Sequence, residues 1–224
     1  EDEIKLLNTI AEKSALLDKQ NVDNLVIHPF DKEFSNLTAE EFVAEILVKK
    51  FNVKKIIIGH DHRFGKNRSA NFDDLKKFGL KYQFEVQQIT PQTIDDIAIS
   101  STKIRNALYE GNIQIANNYL GYHYFINGQV AHGKQLGRTI GFPTANIEID
   151  KTYKLIPANG VYMVYAIINN RKVYGMMNIG NRPTVDGNNR TNEVHFLDFN
   201  QDLYDQNLTV YFLNKIRDEI KFES

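Results

Sequence analysis

The first half of the chain alternates two hydrophobic patterns, one typical of helices and one typical of strands. "TIAEKSALLDKQ" opens with Thr9 and Glu12 at the spacing of a capping box, in which each side chain bonds an unpaired backbone N–H of the other residue. "TAEEFVAEILVKK" repeats the spacing with Thr38 and Glu41, so both segments predict helices. "VDNLVIHPF" between them, residues 22–30, predicts a strand.

A strand, a helix and a second strand are predicted next. "KKIIIG" is a short, fully apolar run of the kind found inside a parallel sheet. A helix near "FDDLKKFG" and an alternating strand in "YQFEVQQI" follow it. This order predicts a doubly wound α/β sheet, in which ligands bind beyond the carboxyl ends of the strands. The loop after Gly59 is therefore the first candidate site.

From Tyr122 onward the pattern changes to short β-rich runs separated by Gly, Asn and Asp turns. The runs include "GVYMVYAII", "KVYGMMNIG", "EVHFLDF" and "LTVYFL". That spacing predicts an antiparallel barrel or sandwich. A predicted helix, "IQIANNYL", ends at Gly121, so we expect one domain in residues 1–121 and a second in 122–224.

Composition narrows the class of protein. Among 224 residues, 42% are hydrophobic and 25% are charged, as in folded domains. A net charge of −1 gives no basic excess for nucleic acid, and no apolar run reaches the roughly 18 residues of a membrane span. The chain has no cysteine, which excludes disulfides and fits a reducing, cytoplasmic location. We therefore expect neither nucleic acid nor a membrane as a partner.

The loop "GHDHRFGKNR" places polar and aromatic side chains directly after the apolar strand, among them Asp61, Phe64, Gly65 and Arg68. One interpretation is a substrate site, in which Phe64 stacks on a planar ring and arginines face phosphate. A second is a metal site at His60 and His62, whose spacing puts both on one side of a strand. The third is a solvated loop, and the residues alone leave the choice open.

The segment "ISSTKIRNAL" predicts a helix start with three N-cap residue types in succession, Ser100, Ser101 and Thr102. The next residues include Lys103 and Arg105, although cations are disfavoured where a helix N-terminus is already partly positive. Two cations there make sense if a polyanion binds the free N–H groups, which predicts a phosphate site. The alternative is an ordinary cap whose basic side chains point to solvent.

The segment "HGKQLGRTIGFPTAN" combines glycines four apart with basic residues between them: Gly133, Lys134, Gly137, Arg138 and Gly141. Such a segment lets the backbone approach phosphates closely, although it is not a P-loop. After Pro143, alternation puts the Thr144 hydroxyl and the Asn146 amide on one face of an extended stretch. Both offer hard oxygen ligands, which predicts Mg²⁺ beside a substrate phosphate; the alternative is a pair of satisfied turn residues.

Two charged residues further along are candidates for chemistry. Glu193 is read as the start of the strand "EVHFLDF", and a carboxylate near a metal-bound phosphate donor can take a proton from an attacking hydroxyl. Arg217 lies in "KIRDEIKF", which we interpret as helical. Taken alone, each is better explained as an exposed surface charge, Glu193 on a strand and Arg217 on a helix.

Six motifs in this order resemble the bacterial bifunctional riboflavin kinase/FAD synthetase family: "GHDHRFGKNR", "ISSTKIRNAL", "GQVAHGKQLGRTIGFPTAN", "GVYMVYA", "MMNIGNRPTV" and "EVHFLDFNQDLYDQNLTVYFLNKIRDEIKF". The resemblance covers nearly the whole chain. It implies a nucleotidyltransferase-like (Rossmann-like) α/β domain followed by an antiparallel β-barrel riboflavin kinase domain. The barrel would phosphorylate riboflavin to FMN with ATP, and the first domain would join FMN to the AMP part of ATP, giving FAD.

The resemblance also implies residue roles. In the barrel, Glu193 would be the base on the ribityl hydroxyl, Arg217 would help close over the flavin, and Mg²⁺ would be held by Thr144 and Asn146. The kinase ATP site would comprise Gly133, Lys134, Gly137, Arg138, Gly141, Pro143, Thr144 and Asn146. In the first domain, the ATP phosphates would be held by Ser100, Ser101, Thr102 and Arg105. The flavin side there would comprise Asp61, Phe64, Gly65 and Arg68.

This sequence departs from the family pattern at two places. It contains no His-x-Gly-His motif, so we expect that part of the first domain, and a final helix of the second, to lie outside the printed residues. His62 stands where many members carry an aromatic residue. One alternative is a riboflavin kinase with a degenerate nucleotide-binding first module. Another is a non-catalytic flavin- or nucleotide-binding protein, which would not need Thr144, Asn146 and Glu193 together.

Overall fold

The structure, a computed structural model, describes residues 4–90, 93–94, 97–132, 144–184 and 187–219. Its contacts divide the chain into two compact units. One comprises Val22–Ala98, and the other comprises Glu1–Asn21 with Ile99–Ser224. The division that we expect at residue 121 stays a prediction.

The helices are α1 (Ile10–Asp18), α2 (Lys32–Ser35), α3 (Ala39–Glu41), α4 (Phe72–Tyr82), α5 (Ser101–Tyr109) and α6 (Ile113–Leu120), with a π-helical segment (Phe42–Lys50) after α3 and a 3₁₀ turn (Lys66–Arg68). The strands are β1 (Lys55–Gly59), β2 (Glu85–Ile89), β3 (Thr93–Ile94), β4 (Ile97–Ala98), β5 (Phe125–Ala131), β6 (Ala145–Glu148), β7 (Gly160–Ile168), β8 (Arg171–Thr184), β9 (Gly187–Phe196) and β10 (Asn207–Arg217).

The Val22–Ala98 unit contains the predicted strand–helix–strand arrangement. β1 and β2 pair in parallel, from Lys55 opposite Glu85 to Gly59 opposite Ile89, and α4 lies between them in the chain. The buried apolar cluster of this unit consists of Val43, Ile58 of β1, Leu75 of α4 and Phe84. The parallel α/β prediction is confirmed, and the carboxyl ends of both strands meet at one edge.

One predicted strand is absent and another is less buried than expected. Residues 22–30 form no regular element, and Val26, Ile27 and Phe30 are exposed. An apolar run becomes a strand only if a neighbouring strand pairs with its N–H and C=O groups, and the described part of this sheet has only β1 and β2. In β1, Ile58 is buried whereas Ile57 is 60% exposed, so "KKIIIG" is buried on one face only.

The predicted capping boxes are confirmed. The Thr9 hydroxyl accepts from the Glu12 N–H at 3.2 Å, and the Glu12 carboxylate accepts from the Thr9 N–H at 2.9 Å. The box of Thr38 and Glu41 has corresponding distances of 3.2 and 2.8 Å. After α3 the helix widens, and the Phe51 N–H bonds the carbonyl five residues earlier at 3.2 Å. Helix position was therefore predictable, whereas this change of pitch was not.

The β-rich half is a closed antiparallel barrel in the order β10-β5-β6-β9-β8-β7. Side chains along β7 alternate between buried and more exposed, and the buried set packs against the buried faces of the other strands. Ring closure leaves no free edge and encloses one core, which decides the barrel over the sandwich. Large side chains at its centre include Tyr124, Tyr162, Met177 and Phe212.

The residues before and within α1 are fastened to this barrel by a buried ion pair. Lys154 donates to the Glu12 carboxylate at 2.7 Å and to the Leu7 carbonyl at 2.7 Å, and its ammonium lies 4.5 Å from the centre of the Tyr124 ring. Both charged residues are almost fully buried. Burial lowers the pKa of Lys154, and the neighbouring Glu12 acts in the opposite direction. Because a buried charge without its partner is costly, each residue depends on the other.

Two element assignments near the candidate chemistry differ from prediction. Glu193 is inside β9, which already begins at Gly187. The segment that holds Arg217 is the end of strand β10, not a helix, because it pairs with β7. The helical pattern of this segment is overridden by the barrel, whose closure requires β10.

Candidate functional site

A row of polar residues crosses three neighbouring strands of the barrel. Asn146 of β6 is directly opposite Glu193 of β9, and Glu193 is directly opposite Asn178 of β8. Residues opposite one another in antiparallel strands share a face and have Cβ atoms about 4.5–5.5 Å apart. The register therefore brings Asn146, Glu193 and Asn178 side by side.

The same row continues to the end of β10. Asn178 is opposite Val161 of β7, and Val161 is opposite Arg217. The register shifts between Lys215 and Arg217, where β10 advances two residues and β7 advances one. This bulge is needed because Lys215 is opposite buried Tyr162, and without the extra residue Arg217 would share that inward face. The bulge turns Arg217 to the outer face of the row.

The row faces outward from the barrel. The neighbours of Glu193 along β9, Asn192 and Val194, are both buried, whereas Glu193 is only half-buried and Asn178 is exposed. Within the described ranges, no hydrogen bond or ion pair engages the Glu193 carboxylate. A carboxylate in this position is available to a ligand on the outer face.

Thr144 directly precedes β6 and lines a cavity of about 350 Å³ at one end of the barrel. The cavity is also lined by Val130, Ala145, Val194 and the segment from Phe199 to Tyr204. Thr144 therefore lines this cavity, and Asn146 is part of the polar row. The other predicted ATP residues of the barrel lie outside the described residues: Gly133, Lys134, Gly137, Arg138, Gly141 and Pro143.

The chain just beyond Arg217 is held by a close contact at Gly180. The Glu219 carboxylate lies so near the Gly180 backbone that a Cβ there would collide with its Oε1 atom. Its other oxygen accepts from the Asn159 amide at 3.1 Å. Gly180 is two residues from Asn178 on β8, so this contact fixes the segment after Arg217 against the row.

In the α/β unit, the loop after β1 lies beyond the carboxyl ends of the parallel strands, as predicted. Gly65 has a φ of 75°, and a Cβ there would lie 2.7 Å from the Ala39 backbone nitrogen, so only glycine fits. Phe64 is partly buried and packs with Phe42 of the core. Arg68 and Asp61 are exposed.

A shallow cavity of about 540 Å³ adjoins this loop, lined by His60, Asp61, His62, Arg63, Asn71, Phe72, Asp73 and Gln88. The Gln88 amide donates to the His60 carbonyl at 3.2 Å, which ties β2 to the loop. Across the part of the chain that the structure describes, no three His, Cys, Asp or Glu side chains are grouped so that they could hold a metal ion. The substrate-site interpretation of the loop is compatible with this geometry.

The start of α5 has the predicted cap. The Ser100 hydroxyl accepts from the Lys103 N–H at 3.3 Å, and Ser101 and Thr102 are exposed in the first turn. Arg105 donates through Nε to the Lys5 carbonyl at 2.9 Å, which orients its guanidinium and leaves its other N–H groups for a further acceptor. These residues belong to the unit that includes the barrel, whereas the loop after β1 belongs to Val22–Ala98.

Sequence reasoning missed Asn178. Its signal was a polar residue, of a type depleted from strands, inside the otherwise apolar run "VYGMMNIG". Without the register of β8 against β9, that signal could not be connected to Glu193.

Comparison with known proteins identifies the two halves. The family model described as FAD synthetase matches residues 1–103, and the one described as riboflavin kinase matches residues 120–224. A bifunctional riboflavin kinase/FMN adenylyltransferase of Escherichia coli K12 is 39% identical over 97% of this chain and 69% of its own length. The protein of the same name in Haemophilus influenzae is 40% identical over 97% of this chain and 70% of its own length.

The chain belongs to the bifunctional riboflavin kinase/FMN adenylyltransferase family. Its riboflavin kinase domain contains Asn146, Glu193 and Arg217, and its FAD synthetase domain contains the loop after β1 and the cap of α5. A crystal structure described as a macrolide-efflux protein of Streptococcus pneumoniae superposes with a TM-score of 0.88 at 38% identity. The superposition covers 97% of this family member and 70% of that protein, which confirms the fold along nearly the whole chain.

The efflux in that name is said of that protein, and the two domains of this family member are matched by the FAD synthetase and riboflavin kinase models. A search of the described residues for a helix long and apolar enough to span a membrane finds no candidate.

Proposed function

We propose that this chain phosphorylates riboflavin to FMN in its barrel and joins FMN to the AMP part of ATP in its first domain, giving FAD and pyrophosphate. The observation that carries the kinase assignment is the cross-strand pair of Asn146 and Glu193 on the outer face of the barrel. An amide and a free carboxylate stand next to each other there, so a phosphate donor at Asn146 and an acceptor hydroxyl at Glu193 would be held side by side.

The role of Glu193 is that of the base. Its carboxylate accepts the proton of the ribityl hydroxyl while that oxygen bonds to the γ-phosphorus of ATP, and the bond from phosphorus to the bridging oxygen breaks to release ADP. Glu193 is only half-buried and has no partner among the described residues, so it can receive the proton without first breaking a hydrogen bond. Arg217, at the far end of the same row, would lie over the flavin.

Magnesium fits the donor set beside Glu193. Thr144 offers a hydroxyl oxygen and Asn146 an amide oxygen, both neutral and hard, and Mg²⁺ in phosphoryl-transfer sites takes few protein ligands and fills its shell with water and phosphate oxygens. When bound, the ion would neutralise charge on the transferring phosphate. Thr144 and Asn146 would hold it, and the segment 133–143 would hold the ATP phosphates.

For the adenylyl transfer, the start of α5 would bind ATP phosphates. Ser100, Ser101 and Thr102 present a hydroxyl cap and free N–H groups, and Arg105 adds a cation that is already oriented by Lys5. The loop with Asp61, Phe64, Gly65 and Arg68 would form the flavin side. We place this activity in residues 1–121 and the kinase in 122–224, with both reactions in the cytoplasm.

The test is chromatography of products after incubation of the protein with riboflavin, ATP and Mg²⁺. We expect FMN to appear first and FAD to follow. FMN without FAD would retain the kinase and reject the second activity for this polypeptide. If no flavin phosphate forms, the kinase assignment is wrong, and a binding protein becomes the better description.

A further inference from the structure

We propose that Asn178 is a specificity-determining residue of the kinase, and that its amide binds the hydroxyl chain of the acceptor beside the hydroxyl that reacts. The inference rests on the proposed riboflavin kinase activity. It adds a recognition site for a polyol on the strand next to the base.

The first argument is one of direction. Glu193 has two neighbours in its row, Asn146 on one side and Asn178 on the other. The side of Asn146, with Thr144 two residues away, is the side assigned to the phosphate donor. Because the base lies next to the bond that forms, the rest of the acceptor must extend toward the opposite side. Asn178 is the next residue in that direction.

The second argument is one of chemistry. A primary amide offers two N–H donors and a carbonyl acceptor, which matches hydroxyl groups that both donate and accept. Asn178 is exposed, and within the described ranges its side chain makes no hydrogen bond. Beyond it, Val161 is the next residue of the row and offers no polar group. Between Glu193 and Arg217, Asn178 is therefore the polar residue of the row that is available to a polyol.

The third argument is that asparagine is unfavourable at this position of a strand. Asparagine is depleted from strands because it packs poorly and competes with the ladder for hydrogen bonds. Asn178 is inside the long strand β8, between Met177 and Ile179, which are both buried. Its exposed side chain does not fill the core, so packing gives no reason for asparagine rather than threonine or valine.

The experiment compares Asn178→Ala with the parent protein in steady-state kinetics and in riboflavin binding, followed by flavin fluorescence in the presence of ADP and Mg²⁺. We expect the KM and the dissociation constant for riboflavin to rise roughly 3- to 10-fold, the effect of losing one neutral hydrogen bond, with the KM for ATP unchanged. Asn207→Ala, the same substitution at the opposite end of β10 from Arg217, is the matched control and should leave all three constants unchanged.

Analogues of riboflavin that each lack one ribityl hydroxyl provide the deciding comparison. If Asn178 binds a hydroxyl, the loss caused by Asn178→Ala disappears with one of these analogues and persists with the others. An equal loss with every analogue, or an equal rise in the KM for ATP, would overturn the proposal and indicate a structural role.

The two hypotheses fail in different ways. If the parent protein forms no FMN, the proposed kinase activity is wrong, and the binding measurement still decides the present inference. Unchanged riboflavin binding by Asn178→Ala, or no riboflavin binding by the parent protein, would contradict it. A normal thermal midpoint of Asn178→Ala establishes that any change in binding is local.

Discussion

The two candidate sites of this chain are held by different kinds of backbone. On the barrel, Asn146, Glu193 and Arg217 come from three strands far apart in sequence, and the register of a closed sheet aligns them in one row. In the FAD synthetase domain, Asp61 to Arg68 are consecutive residues of one loop. A register cannot slip without turning every side chain of a strand to the wrong face, whereas a loop is fixed only by its local contacts.

Each site depends on one glycine for a close approach, and these glycines show the same contrast. Gly65 permits a loop to touch the start of α3 at the Ala39 backbone and needs its positive φ. Gly180 lies in a strand and permits the Glu219 carboxylate to rest against it. The first glycine shapes the loop itself, and the second lets the segment after β10 pack against a strand that the barrel already fixes. The barrel site should therefore tolerate local changes better than the loop site.

The largest expected effect is on FMN formation alone, when the proposed base Glu193 is replaced. Glu193→Gln keeps the shape of the side chain but removes its ability to take a proton, so FMN formation should fall about 10²- to 10⁴-fold. The KM for ATP should change little, and conversion of added FMN to FAD should be unaffected. Rates of FMN formation and of FAD formation from FMN check this, and an unchanged FMN rate would remove Glu193 as the base.

The next effect concerns the stability of the unit that contains the barrel. Lys154→Met leaves the buried Glu12 carboxylate without its cation and should lower the free energy of unfolding by about 3–5 kcal/mol. The double variant Glu12→Gln with Lys154→Met removes both charges, keeps a side-chain oxygen that can accept from the Thr9 N–H, and should recover most of the loss. Urea denaturation measures both, and equal stabilities of the single and double variants would show that the charges are not coupled.

A smaller effect should fall on the other site. Arg105→Ala removes a cation near the start of α5 and should raise the KM for ATP in FAD formation about 10-fold, because hydrogen bonds to charged groups are worth about 1.5–3 kcal/mol. FMN formation should continue at the parent rate. Arg105→Lys is the matched control, since it keeps the charge but loses the Nε donor to Lys5. A fall in FMN formation alone would show that the domain assignment is wrong.

The smallest expected effect concerns the helix cap at Thr38 in the Val22–Ala98 unit. Thr38→Ala removes the cap of α3 and should cost about 1 kcal/mol of stability. In the parent protein, hydrogen bonds from the Thr38 backbone N–H and hydroxyl lower the pKa of Glu41. The stability that these bonds add is therefore complete above the ordinary carboxyl pKa of 4.5 and is lost as the pH falls through the lowered pKa. The alanine variant keeps the backbone N–H and loses only the hydroxyl, so unfolding at several pH values should show slightly less acid sensitivity in Thr38→Ala. An unchanged stability at neutral pH would contradict the assigned cap.

Much of the candidate chemistry was predictable because it is local in sequence. The capping boxes at Thr9 and Thr38, the cap at Ser100 and the loop after β1 follow from neighbouring residues, and the structure places each where the sequence predicts. The resemblance of the motifs to a known family supplied Thr144, Asn146 and Glu193 as a set. The segment 22–30 shows the limit, since its apolar run has no partner strand among the described residues.

The sequence by itself determined the order of elements, the alternation of helices and strands in one half and the succession of strands in the other. It could do so because periodicity and capping act over a few residues. Only the tertiary structure decided which strands are neighbours. The register that puts Asn178 beside Glu193, the bulge that turns Arg217 outward and the ion pair of Glu12 with Lys154 all join distant residues. Such contacts depend on the closure of the whole barrel, which no short stretch of the chain encodes.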